Sequence, residues 1–171
     1  MPGMSAELMY ARFSQAQLTR YADDWHGLVE WYGESDESDV PTVSVPERSL
    51  DLFEFLLTDA GSPVRLKEND EGVIRQPDDV EPWLLADVGD WFEPCGVAPA
   101  EVAELAAALA RHPFDALVAR VDSARMAAAG VALVPDRGWR RNFDKAHYEE
   151  LALFFAHAAA EGQGLIIFYG E

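Results

Sequence analysis

Arginine, tryptophan and histidine are the residues of this chain whose type and spacing can do chemistry. Arg137, Trp139, Arg140 and Arg141 stand within five positions. Guanidinium groups that dense can hold carboxylate or phosphate oxygens in bidentate pairs, and an indole beside them offers a flat apolar wall. The reading is a clamp for a small anionic molecule, with Trp83 or Trp91 beside it. The same arginines also have the chain's own carboxylates to pair with, 31 in all, so internal pairing stands beside the clamp. Trp31 is the other candidate. It falls about 120° from the centre of the apolar stripe on its helix, where it can anchor a partner at the edge of an acidic face or lie under the following loop.

The remaining reactive residues carry less. His147 and His157 share a helix, but ten residues leave them about 80° apart, which is not the adjacent pair a metal takes. Asp23, Asp24, Trp25 and His26 are consecutive, so on a helix they point in different directions. Cys95 is the single cysteine, with no intrachain disulfide open to it, and its acidic neighbour Glu93 disfavours the thiolate. Neither a Gly-x-Ser-x-Gly elbow nor a phosphate-binding Gly-x-x-x-x-Gly-Lys loop occurs. The residues therefore suggest no catalytic set, no metal and no cofactor.

The elements that position these residues can be traced by periodicity. Leu8, Tyr10 and Arg12 alternate with Met9, Ala11 and Phe13, the period of a short strand. Ser14 and Gln17 make a capping box, and Leu18, Tyr21, Trp25, Leu28, Val29 and Tyr32 then predict one helix ending at Gly33. Residues 33–47, acidic and broken by Pro41 and Pro46, read as a loop. Ser44 and Glu47 predict a cap for a helix over about 46–58, stopped by Gly61-Ser62-Pro63. Residues 61–97, rich in proline and glycine, hold only short apolar pieces such as Val73-Ile74 and Trp83-Leu84-Leu85.

Pro99 opens a further helix that His112-Pro113 stops, and Phe114, Leu117, Val118 and Val121 continue with another. Asp122 caps a short helix that Gly130 ends. A last helix begins at Asn142 or Phe143 and ends at Gly162, before the β-rich run Leu165-Ile166-Ile167-Phe168-Tyr169, which reads as a central strand. The expectation is one α+β domain over residues 1–171. About five helices pack on a small mixed or antiparallel sheet that includes the N- and C-terminal strands.

Several of these segments resemble the YfbM-like family, bacterial domains of unknown function. They are Phe55-Leu56-Leu57-Thr58 before a Gly-Ser-Pro turn, the helix start Pro99-Ala100-Glu101-Val102-Ala103-Glu104-Leu105, the Asp122–Gly130 segment with Met126, and the last helix running through Gly162 into a terminal strand. The resemblance implies a compact α+β domain and brings no activity with it. Where the family often carries Asp-Lys, Trp and His before the Leu-Leu-Thr, this chain has Glu47-Arg48, Leu50 and Glu54.

Charge bounds the function. The net charge is −18, and residues 1–90 hold 20 acidic against 6 basic side chains while residues 91–171 hold 11 against 7. Such a chain repels nucleic-acid phosphates and anionic membranes. It admits a basic protein partner. The start of the chain lacks a basic, apolar leader and no run is long and apolar enough to span a bilayer, so a cytoplasmic location is expected. The arginine excess over lysine, 11 to 2, together with abundant alanine suggests a GC-rich bacterial genome. The functional expectation is a non-enzymatic interaction module of regulatory or toxin-neutralising type, docking through its acidic surface. The rival expectation is a binder of a small anionic molecule, or a cofactor-free enzyme acting on one, at Arg137–Arg141.

Overall fold

The structure, a computed structural model, describes residues 6–34, 39–67, 72–83, 92–130 and 138–170. Within them β1 (Glu7–Phe13), β2 (Thr42–Pro46), β3 (Cys95–Val97) and β4 (Gly164–Gly170) form one antiparallel sheet in the order β2-β1-β4-β3. The two terminal strands lie side by side at its centre, with Leu8 opposite Tyr169 and Arg12 opposite Leu165. Because successive strand residues point to opposite faces, the sheet feeds two cores. Leu8, Tyr10, Val43, Val45, Leu165 and Ile167 join one, and Ala11, Phe13, Ile166 and Phe168 join the other. Central strands covered on both sides must be apolar on both sides, which is why β4 reads as an unbroken apolar run.

Seven helices among the described residues cover these faces: α1 (Gln15–Tyr21), α2 (Trp25–Gly33), α3 (Glu47–Asp59), α4 (Pro99–Arg111), α5 (Phe114–Ala119), α6 (Ser123–Ala128) and α7 (Gly138–Ala160). Helices α3 to α7 build the larger core, where Phe53, Phe114 and Tyr148 pack ring on ring with centroids 5.1–6.2 Å apart. The smaller core is aromatic. Trp25, Trp31, Tyr32 and Phe92 gather around Phe13 and Phe168. Edge-to-face and offset ring pairs of this kind each add about 0.5–1.5 kcal/mol beyond the area they bury.

The α+β fold, a sheet that holds both terminal strands with β4 central, and most helix ends agree with the sequence. Ser14 and Gln17 form the capping box in both directions, Pro99 sits in the first turn of α4, and the Asp122 carboxylate accepts the Arg125 N–H at 2.7 Å. Four expectations need correction. The helix expected from Ser14 to Gly33 is two helices, because Asp24 interrupts it and caps α2 by accepting the Gly27 N–H at 2.9 Å. The loop expected at 33–47 contains β2. Ser44 therefore lies in a strand, and the residue preceding α3 is Pro46, which makes no side-chain cap. Helix α7 begins at Gly138, so Trp139, Arg140 and Arg141 belong to its start and not to a loop. Among the described residues the helices number seven, against about five expected. In the 61–97 region, Val73 bridges Cys95 on the outer edge of β3 and the Ile74 N–H donates to the Pro94 carbonyl at 2.8 Å. Leu84 and Leu85 lie outside the described residues.

Candidate functional site

Helix α3 ends in a turn that sets up a cleft. The Gly61 N–H donates to the Thr58 carbonyl and the Ser62 N–H to the Leu57 carbonyl, with Gly61 at φ +83°. This is the Schellman arrangement, in which glycine takes the left-handed conformation without a Cβ penalty. Pro63 cannot continue a helix, so the chain turns back along α3. The returning segment 61–67 and α4 form the walls of a cleft of about 500 Å³, floored by Cys95 and Val97 of β3. That is within the size range of small-molecule sites.

The polar lining is bipolar. Helix α4 turns Glu101 and Glu104 to the cleft near its start and Arg111 in its last turn, while the facing segment adds Ser62, Arg65 and Lys67. The three cations differ in what they touch. Lys67 is engaged with Asp51 at 2.5 Å and Glu47 at 3.6 Å. Partial burial pulls the Lys67 ammonium down, but the hydrogen bond and charge of Asp51, with Glu47, outweigh it and hold the group above its usual value. Arg65 and Arg111 are exposed, and neither forms an ion pair among the described residues. Behind the wall, burial raises the Glu54 carboxyl above the usual range, only partly countered by the Leu66 N–H that it accepts at 3.4 Å. The Tyr10 hydroxyl donates to the Leu66 carbonyl from below, tying the returning segment to β1.

At one end of the cleft two side chains 50 residues apart meet. Ser62 Oγ and His112 Nε2 are 2.8 Å apart. His112 is the C-cap of α4, and its carbonyl accepts the Tyr148 hydroxyl at 2.6 Å. Tyr148 is buried on α7, which pushes its hydroxyl well above the usual value and keeps it a donor.

The residues singled out by sequence are distributed elsewhere. Arg141 pairs with Asp115 at 3.1 Å, where Lys145 joins it at 2.8 Å, and Arg141 does not line the cleft. Trp139 and Arg140 lie in the first turn of α7. Arg137 and Trp91 lie outside the described residues. Trp83 is 64% exposed and does not line the cleft. Trp31 is half-buried, stacked on Phe168 at 5.3 Å and edge-on to Phe13 at 5.0 Å. Sequence reasoning missed Ser62, Arg65 and Arg111, and read His112 only as part of the stop that ends a helix. One signal was present: Arg65-Leu66-Lys67 is a basic spot inside the acidic half of the chain. Among the described residues no three His, Cys, Asp or Glu side chains gather as a metal site, and no helix is long and apolar enough to cross a membrane.

A four-stranded antiparallel sheet with helices on both faces and a cleft at its short edge strand defines an α+β protein of two cores. The chain belongs to the family described as Domain of unknown function (DUF1877), which matches residues 4–168. Among solved structures it is similar to a protein of unknown function, YfbM from Escherichia coli, at 12% identity, over 96% of this chain and 99% of that one, with a TM-score of 0.50. At that identity the likeness is one of fold. No curated protein matches the sequence.

Proposed function

We propose that the protein binds a small anionic molecule in the cleft between segment 61–67 and α4. The observation that carries this reading is the pair of exposed guanidinium groups, Arg65 and Arg111, which line a cleft of about 500 Å³ without an ion pair among the described residues. A guanidinium offers five donors in a fixed fork, matched to carboxylate or phosphate oxygens. Arg141, one of the arginines first suspected of this role, instead donates to Asp115 and lies outside the cleft lining. Glu101 and Glu104, nearer the start of α4 than Arg111, repel a second negative charge, which favours a ligand whose anionic group lies toward Arg111. Titration of the labelled protein with inorganic phosphate and with succinate, followed by amide NMR, tests the reading. Shifts are expected in residues 61–67 and 101–112, weakened at least tenfold by Arg65→Ala and by Arg111→Ala. Equal affinity in the wild type and both variants overturns it.

A second reading has its own support. The carboxylates of the observed ion pairs lie on α3, α5 and α7, whereas Asp23, Glu30, Glu34 and Asp39, all exposed around α1 and α2, have no cationic partner among the described residues. This layer is the acidic surface through which the protein docks a basic partner as a regulatory or neutralising module. Affinity capture at low ionic strength, eluted with rising salt, tests it. Exposed charges are screened beyond about 8 Å at physiological ionic strength, so a partner held equally well in high salt rules out electrostatic docking.

A further inference from the structure

The contact between Ser62 and His112 has the geometry of a nucleophile and its base. The two atoms lie 2.8 Å apart, and Ser62 lines the cleft. With the imidazole neutral and its proton on Nδ1, Nε2 accepts the serine proton, the arrangement that activates a hydroxyl. Both partners are held from behind by their main chains. Ser62 is fixed by its N–H to the Leu57 carbonyl and by Pro63, and His112 by the Tyr148 hydroxyl on its carbonyl and by Pro113. The carbonyl anchor fixes the main chain from which the ring projects. His112 Nδ1 has no protein partner among the described residues, so the arrangement is a pair and not a triad.

We infer that Ser62 and His112 hydrolyse small esters that carry a negative charge, held in the cleft by Arg65 and Arg111. This rests on the anion-binding reading for its substrate class, and on the serine–histidine geometry for its chemistry. Ser62 Oγ attacks the ester carbonyl as its proton passes to His112 Nε2. The carbon–oxygen bond to the alcohol then breaks, and the alcohol leaves with that proton. Water, deprotonated by the same nitrogen, attacks the acyl-serine, returning the Ser62 hydroxyl and releasing a carboxylic acid. The Ser62 N–H is committed to Leu57, so it does not stabilise the oxyanion. The charge that develops there falls to the cationic side chains of the cleft, with Arg111, next in sequence to His112, in that role.

The test uses the full chain with a fluorophosphonate probe and two activated esters, the anionic 4-nitrophenyl succinate and the neutral 4-nitrophenyl acetate. Peptide mass spectrometry is expected to find the phosphonate on Ser62. Ser62→Ala abolishes labelling and turnover. His112→Gln, which keeps an acceptor for the serine but removes the base, lowers turnover about 10²- to 10⁴-fold while retaining the wild-type circular dichroism. Absence of a Ser62 adduct, or equal ester turnover in wild type and His112→Gln, overturns the inference even where phosphate binds as proposed. A Ser62 adduct with turnover that depends on His112, but without preference for the anionic ester and indifferent to Arg65→Ala and Arg111→Ala, upholds the pair and removes the anion-binding reading instead.

Discussion

Ser49 on α3 and Asp144 on α7 meet inside the larger core: the Ser49 hydroxyl donates to Asp144 Oδ1 at 2.9 Å, and each residue is 1% exposed. A buried carboxylate that loses a donor keeps its desolvation cost, about 1–3 kcal/mol or more for a charged group. Ser49→Ala should therefore lower the unfolding free energy by about that amount, read as a lower urea midpoint with an unchanged slope. An unchanged midpoint would show that the bond contributes nothing net to the packing of α3 on α7.

Glu54 gives a pH dependence of definite sign. Its folded pKa is raised, chiefly by burial. Between the ordinary carboxylate value and that raised value the native state binds more protons than the unfolded chain, so stability falls as pH rises through the window. Glu54→Gln removes this slope and can still accept the Leu66 N–H. The variant should be the more stable protein at neutral pH, with its advantage shrinking on acidification. Chemical denaturation of both proteins across that range measures it, and parallel curves would contradict it.

Asp115 gives the opposite sign. The hydrogen bonds from Lys145 and Arg141 hold its carboxyl below the usual range. A depressed folded pKa contributes stability that is present above the ordinary value and lost as pH falls through the folded one. The group is exposed, so the effect is small and screened by salt. Asp115→Asn should unfold at a slightly lower temperature than wild type at neutral pH and low ionic strength, and the two should converge in acid or in high salt. A gap that persists in acid and in high salt would mean that packing, and not charge, is at work.

Gly164 begins β4 where a side chain has no room. A Cβ there would lie 2.3 Å from Leu18 Cδ1 and 2.5 Å from the Val97 carbonyl oxygen. Leucine can swing aside, but the backbone of β3 cannot without breaking register. Gly164→Ala is expected to cost about 1–3 kcal/mol, the usual range for overpacking, visible as a lower melting temperature. A variant as stable as wild type would mean that β3 and β4 slide apart freely.

How much of this was legible in the sequence depends on whether the signal was local. Ser14, Pro99, Asp122 and Gly162 mark helix ends by their own chemistry, and β1 and β4 announce themselves by alternation and by β-branched and aromatic content. The break between α1 and α2 was hidden because Leu18, Tyr21, Trp25, Leu28 and Tyr32 stay in helical phase across it, the same layer facing the sheet on both sides of Asp24. Strand β2 was obscured by Pro41 and Pro46, which argue for a loop but are also tolerated on an edge strand. The cleft was the least legible part. Its walls come from the segment that follows α3 and from α4, and a contact such as Ser62 to His112 is made only by tertiary structure.

The pairing of β1 with β4 sets the order of events when the chain is made. A ribosome delivers β1 first and β4 last, so until the final strand emerges Leu8 and Tyr10 have only the β2 side of their ladder. The aromatic layer of α1 and α2 likewise waits for Phe168, onto which Trp31 and Tyr32 close. Contacts this distant in sequence slow folding, and the β4-facing side of β1 stays uncovered until β4 has been made. A net charge of −18 adds mutual repulsion between chains, which favours their staying apart in solution while that surface is open.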